Sequence, residues 1–434
     1  MSSLWMFPAL IAAILTGFPA AFAMLIVAVA FGLGTFGFAF VHPLVQKLED
    51  VALANVLAAV PLFIFMGAMF EQSGIAQRLF DAIHMWTRRI PGGLAIGTVL
   101  MCVVFAATSG IIGATESIVG LLAIPAMLKF RYDKGLICGT ICAGGSLGTI
   151  IPPSVPAIVI GPAANTSVGD ILIGMILPGL LLALLYILYI FLRCLIRPED
   201  GPRLPRAADE PGLARKLLVT LEVLVPPVLI IVAVLGSIMT GIATPTEAAA
   251  VGGVGTLLLA LAYGRLSLPV LWDALLRTVR VSTMILTIIM AGSMFAAVFA
   301  AAGGMAAIQG LLAAAAIGPM GTMALILAIA FLAGFMLDPL VIILIVIPIA
   351  APIVNTMGLD LVWFSVIFLT VLQTAYLTPP MAPSIFYLRG IAPPEITIRH
   401  MYRGIWPFIG LQVIATAAVM AFPQLVLWLP KALR

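Results

Sequence analysis

Residues 148–154 read Gly148-Thr149-Ile150-Ile151-Pro152-Pro153-Ser154. They stand in the middle of an apolar stretch, 136–165, and no charged side chain occurs from 135 to 169. About 20 apolar residues carry a helix across a bilayer, so this stretch is long enough to span. Proline has no backbone N–H and disfavours helical geometry in the residue before it. Two prolines in mid-span therefore free carbonyl groups at membrane depth, which is tolerated only beside protein or water. The stretch reads as a transmembrane helix broken at its centre.

The same punctuation returns in the second half. Pro379-Pro380 follows Pro152-Pro153 by 227 residues, and Pro383 follows Pro156 by 227. Pro319 follows Pro91 by 228, and the Pro245 of Gly241-Ile242-Ala243-Thr244-Pro245 follows the Pro19 of Gly17-Phe18-Pro19 by 226. Four matches at nearly one offset predict an internal duplication.

Composition agrees with a membrane-embedded chain. Of 434 residues, 63% are hydrophobic and 9% charged, with a mean hydropathy of +1.24. Soluble domains are about 45–50% apolar and about 25% charged. A water-soluble enzyme, a nucleic-acid binder and a disordered chain are excluded, and the net charge of +4 is too small and scattered for a polyanion-binding surface. A membrane β-barrel would alternate apolar and polar residues, whereas residues 281–337 form one uncharged apolar run. Cys138 and Cys142 share a helix face, but no His or acidic residue stands nearby in sequence. They read as packing residues, as do Cys102 and Cys194. The first apolar run lacks a basic lead and reads as a retained span.

Basic clusters set the topology through the positive-inside rule. Arg78, Arg88 and Arg89 precede the apolar stretch 92–128, and Lys129, Arg131 and Lys134 follow it. The middle of that stretch, Thr108 to Glu116, is small and polar. It reads as the tip of a re-entrant helical hairpin, with two ordinary spans as the alternative. The broken helix 136–165 then crosses outward, and 171–192 returns to a basic, Pro-rich cytoplasmic loop at 193–216. A first repeat over 1–192 and a second over 217–434 follow. The second holds a hairpin at 320–356 and a broken helix at 361–388. Five crossings per half invert the second repeat, give about ten full spans, and place both termini in the periplasm. The expected fold is all-α and polytopic, an inverted-repeat transporter whose site lies where the repeats meet.

Two hairpin tips and two helix breaks converge in this reading. Free N–H groups at half-helix N-termini suit an anion, which points to Ser109, Gly110, Ser154, Thr378 and Pro379 as substrate contacts. Carbonyls and hydroxyls at the breaks suit Na⁺, from Ser109, Thr115, Gly145, Ser146, Thr149, Pro152, Asp338, Thr374 and Thr378. Each hydroxyl could instead bond its own helix. Asp338 shares the stretch between Arg280 and Arg389 with one other charge, Asp360. A mid-membrane carboxylate is a functional candidate by default; it could also cap the helix starting at Pro339. Glu116 lies past the first tip and reads mainly as structural. Thr244-Pro245-Thr246-Glu247 reads as a capping box, and Asp170 and Glu395 as caps. No zinc pattern, P-loop or paired catalytic groups occur, so an enzyme is not expected.

These segments resemble the large membrane subunit of tripartite ATP-independent periplasmic (TRAP) transporters. Residues 148–154, Gly241 to Ala250 (GIATPTEAAA) and Tyr376-Leu377-Thr378-Pro379-Pro380 carry the likeness. Pro61 to Gly67 and Gly334 to Pro339 support it. The resemblance implies an elevator-type, Na⁺-coupled importer of organic acids in the bacterial inner membrane. It also implies two partners, a periplasmic substrate-binding protein and a small four-helix membrane subunit. Ser109, Ser154 and Asp338 match the family's hairpin serine, Pro-Pro-Ser turn and hairpin aspartate. Ile111 and Ile112, where many members have serines, and Met381-Ala382-Pro383, where many have glycine, depart from the pattern. A stand-alone sodium- or proton-coupled anion symporter is the alternative function, and a channel would need a continuous polar lining that is not visible.

Overall fold

The computed structural model describes residues 3–110, 113–204, 212–315, 317–380 and 382–433. Among them the secondary structure is entirely helical. The first half opens with α1 (Met6–Leu15) and α2 (Ala20–Phe36), followed by α3 (Val41–Ala52), α4 (Ala59–Gln72) and α5 (Ile75–Thr87). Next come a helix pair, α6 (Gly93–Ser109) and α7 (Ala114–Lys129), and an interrupted helix, α8 (Lys134–Ser146) and α9 (Val155–Ala163). The half closes with α10 (Val168–Gly174) and α11 (Ile176–Ile196).

The second half again sets a helix pair ahead of an interrupted helix. α12 (Leu213–Met239), α13 (Pro245–Ala262), α14 (Leu268–Ala301) and α15 (Gly304–Ala315) precede a helix pair, α16 (Pro319–Ala333) and α17 (Pro339–Thr356). An interrupted helix follows, α18 (Leu361–Leu377) and α19 (Pro383–Ile391), then α20 (Ile398–Ala421) and α21 (Gln424–Ala432). Both double-proline points carry a cis peptide bond. Eight helical stretches among the described residues are long and apolar enough to cross a membrane, and α6, α16 and α18 are shorter apolar helices.

Local chemistry sets the helix starts. Thr244 and Glu247 form a reciprocal capping box on α13, with Pro245 in the first turn. Asp133, Ser267, Asp338 and Asp360 each accept a first-turn amide of α8, α14, α17 and α18. Two caps differ from the sequence expectation. Ser167 caps α10, accepting from the amide of Asp170. Asp170 is thus inside the first turn, where its charge faces the positive helix end. Thr397 caps α20 with His400, while Glu395 offers its backbone carbonyl to Lys134.

The first segments of both interrupted helices, α8 and α18, are buried almost throughout. Every residue of α8 from Gly135 to Ser146 is buried, as is every residue of α18 from Trp363 to Leu377. The broken backbone at Ile151 to Ser154 is thereby surrounded by protein, as it must be where no lipid can satisfy it, whereas Pro380 of the second break is exposed. Small residues allow the close approach. α8 packs on α20 so tightly that a Cβ on Gly404 would lie 2.0 Å from the Gly135 carbonyl oxygen. The outer faces carry exposed leucines and valines, such as Leu218, Leu229 and Val232 of α12, as a chain dissolved in lipid requires. α14 contacts α2, α4 and α17, and an Arg277–Glu71 ion pair ties it to α4. Arg193 at the end of α11 pairs with Asp133 and Asp200, anchoring the start of the polar loop beside α8. Residues 205–211 of that loop lie outside the described residues.

Candidate functional site

The α6–α7 pair turns through Gly110 and Gly113, both at positive φ (58° and 79°). Between them Ile111 and Ile112 lie outside the described residues. Ser109 Oγ and Thr115 Oγ1 stand 3.2 Å apart and close the turn from both sides. The tip rests on the first helix break: the Val155 amide reaches the Gly110 carbonyl at 3.4 Å. A Cβ at Gly110 would lie 2.7 Å from the Pro153 oxygen, so only glycine fits there.

The first break is closed by its own hydroxyls. Ser154 Oγ donates to the Thr149 carbonyl at 2.9 Å, Thr149 Oγ1 to the Ser146 carbonyl at 2.8 Å, and Ser146 Oγ to Ala143 at 2.7 Å. Gln373 of α18 and Gln412 of α20 each donate an amide hydrogen to Ser146 Oγ at 3.2 Å, pinning α8 to both neighbours. At the second break Thr378 Oγ1 donates to the Thr374 carbonyl at 2.7 Å and Thr374 Oγ1 to that of Thr370 at 2.9 Å. Most candidate hydroxyls thus bond local carbonyls. A hydroxyl that donates its hydrogen still has lone pairs for a cation. Met381 lies outside the described residues; Pro379 is half-buried and Pro152 buried.

In the second helix pair, Asp338 Oδ1 accepts from the Leu340 amide at 2.9 Å and caps α17. The same side chain opens into a cavity of about 330 Å³. Gly110, Val155 and Pro156 form one wall; Gly334 to Leu340, apart from Phe335, form another. Tyr376, Pro383 and Tyr387 form a third, and Val281, Met284 and Ile285 of α14 close it. Both tips and both breaks therefore border one space. The N-termini of α9, α17 and α19 open onto it, and so do the C-terminal ends of α6, α16 and α18. Neither α9 nor α19 has a side chain capping its first turn. The cavity thus offers positive helix ends to an anion, and carbonyl ends with one carboxylate to a cation.

Of the sequence-predicted residues, Gly110 and Asp338 line this cavity. Ser109, Thr115, Thr149, Ser154, Thr374 and Thr378 are buried and do not line it, and Gly145 packs against Glu116. The sequence reading passed over Gln373, Gln412, Tyr376 and Tyr387. An amide inside an apolar span was a usable signal for the two glutamines. The tyrosines gave none, since aromatics are ordinary core residues.

Over residues 7–425 the chain matches the family described as "Tripartite ATP-independent periplasmic transporter, DctM component". It is 32% identical over 396 residues to the C4-dicarboxylate TRAP transporter large permease protein of Pseudomonas aeruginosa, covering 90% of each chain. It is 32% identical over 386 residues to the ectoine/5-hydroxyectoine TRAP transporter large permease protein of Ruegeria pomeroyi, covering 88% of each. With the sialic acid TRAP transporter large permease protein of Vibrio cholerae it shares 27% identity, covering 96% of this chain and 95% of that one. Among solved structures, the YdaH transporter of Alcanivorax borkumensis superposes with a TM-score of 0.66 at 15% identity, covering 93% of this chain and 96% of that one. MtrF of Neisseria gonorrhoeae gives 0.64 at 15% identity, covering 90% and 85%. At that identity the likeness is one of fold.

Proposed function

Because this chain belongs to the large-permease family of tripartite ATP-independent periplasmic transporters, we propose that it imports a carboxylate-bearing organic acid across the bacterial inner membrane, coupled to a sodium gradient. A periplasmic binding protein delivers the substrate, and a small four-helix membrane subunit completes the permease. The carrying observation is the cavity onto which three helix N-termini and three helix C-terminal ends open. Such a space binds an anion and a cation together, each screening the other. The named substrates of the relatives, C4-dicarboxylates, ectoines and sialic acid, share a carboxylate group, which supports the anion reading.

In this reading the carboxylate meets the N-terminal amides near Gly110, Ser154, Thr378 and Pro379. Na⁺ takes oxygens from Asp338, the Ser109–Thr115 pair, Thr149, Thr374 and Thr378, with backbone at Gly145 and Pro152. The two tips and breaks move as a unit, in the manner of an elevator. The inverted second half and the periplasmic placement of both termini belong to the same proposal. Proteoliposomes holding the chain and both partners test it. Dicarboxylate, sialic acid and 2-oxo acid uptake should be measured with and without an inward sodium gradient. Uptake of at least one acid that disappears without sodium is the expected result; transport of none, or transport indifferent to sodium, would overturn it.

A further inference from the structure

Another cavity, of about 400 Å³, opens between the C-terminal end of α11 and the first turns of α20, over the start of α8. Tyr189, Arg193 and Arg197 line it from α11 and its cap, Arg403 and Pro407 from α20, and Asp133 from the cap of α8. The three arginines are not equivalent. Arg193 Nη2 donates to Asp133 at 2.9 Å, its Nε to Asp200 at 2.8 Å and its Nη1 to the Tyr189 hydroxyl at 3.1 Å. Asp133 Oδ1 also accepts from the Leu136 amide, so the inner arginine and this carboxylate are matched within the protein. Arg197 and Arg403 are exposed, and among the described residues no ion pair includes either. Three arginines against Asp133 and Asp200 leave the cluster positive, and Arg399, one turn before Arg403 on α20, is exposed as well.

The surroundings are those of a bilayer surface. Leu188, Leu192 and Leu195 form an exposed stripe at helical spacing on α11 that runs up to the cavity. Trp406, exposed on α20, stands beside Pro407. Tryptophan and tyrosine rings sit at the headgroup level of a membrane. On the sidedness that the basic clusters favour, the cavity opens on the cytoplasmic leaflet. A ligand there meets leucines on one side and guanidinium groups on the other. Arginine binds phosphate oxygens through paired hydrogen bonds, and basic pockets between transmembrane helices take acidic headgroups. A bare phosphate ion would fill only a small part of this volume and leave the leucine stripe untouched.

We propose that this cavity binds an anionic phospholipid, whose phosphodiester bridges Arg197 and Arg403 while an acyl chain lies along the leucine stripe of α11. The headgroup clasps the ends of α11 and α20 over the cap of α8, and so strengthens the packing of the helix that carries the first break. The site is separate from the cavity at the hairpin tips and does not rest on the importer reading.

Native mass spectrometry of the purified full chain reads lipid retention directly, with phosphatidylglycerol and phosphatidylcholine of identical chains as competing probes. The wild type should retain phosphatidylglycerol in preference. The Arg197→Gln/Arg403→Gln pair should lose that preference by about tenfold or more. Arg215→Gln/Arg280→Gln, which removes two exposed arginines outside the cavity, should keep it. Arg197→Lys/Arg403→Lys should hold phosphatidylglycerol more tightly than the Gln pair, which separates loss of charge from loss of fold. Phosphatidylglycerol should also raise the melting temperature of the wild type and not that of the Gln pair. Equal retention of both lipids by the wild type, an unchanged preference in the Gln pair, or an equal loss in the control pair would overturn the proposal. So would displacement of phosphatidylglycerol by millimolar inorganic phosphate, which would make this a site for a free anion.

Discussion

Asp338 and Glu116 are both carboxylates in an apolar chain, yet their surroundings differ, Asp338 being exposed and Glu116 fully buried. Asp338 opens into the cavity and caps α17 through the Leu340 amide, whereas Glu116 is sealed between helices. The cap and the charge of Asp338 can be separated. Asn caps a helix as well as Asp does, while Ala loses about 1 kcal/mol. Asp338→Asn should therefore melt near the wild type in detergent and Asp338→Ala lower, while both abolish sodium-dependent uptake. Uptake by Asp338→Asn at the wild-type rate would remove Asp338 from the ion site. Asp338 was legible in the sequence because carboxylates are scarce there. The setting of Glu116 was not, since Gly145 and Tyr376 reach it from other elements.

At the scale of elements, proline made the breaks readable. A missing N–H acts on its own backbone, whatever surrounds it. The partners of each break were not readable, because Gln373 and Gln412 meet Ser146 only after α8, α18 and α20 have packed. The contact of α8 with α20 depends on Gly135, Gly139 and Gly404. Gly404→Val should push the two helices apart and cost about 1–3 kcal/mol, read as a lower melting temperature in detergent. Gly410→Ala, further along the same helix, has open space around its Cβ and should cause no loss. Equal behaviour of the two variants would mean that α8 and α20 do not depend on close backbone contact. At the first tip, Gly110→Ala should abolish uptake without unfolding the protein, because the added methyl meets the Pro153 carbonyl.

At the scale of the whole molecule, the all-helical membrane fold followed from composition and from the spacing of prolines. The sidedness of the chain rests on the basic clusters. A reporter fused after residue 433 should be active in the periplasm, and one inserted in the 205–211 segment should be active in the cytoplasm. The reverse pattern would turn the molecule over in the membrane.

The central claim is that two tips close over one cavity that holds a cation and an acid. Gly110 cannot report on it, since its positive φ and the Pro153 oxygen leave no room for a side chain. Met336, in the second tip, can: it is exposed and lines the cavity. The four native cysteines are buried, so a Met336→Cys variant gives a readable alkylation rate in membranes. That rate should change when sodium is added and lose its response in the Asp338→Asn background. A rate indifferent to sodium in both backgrounds would contradict the account.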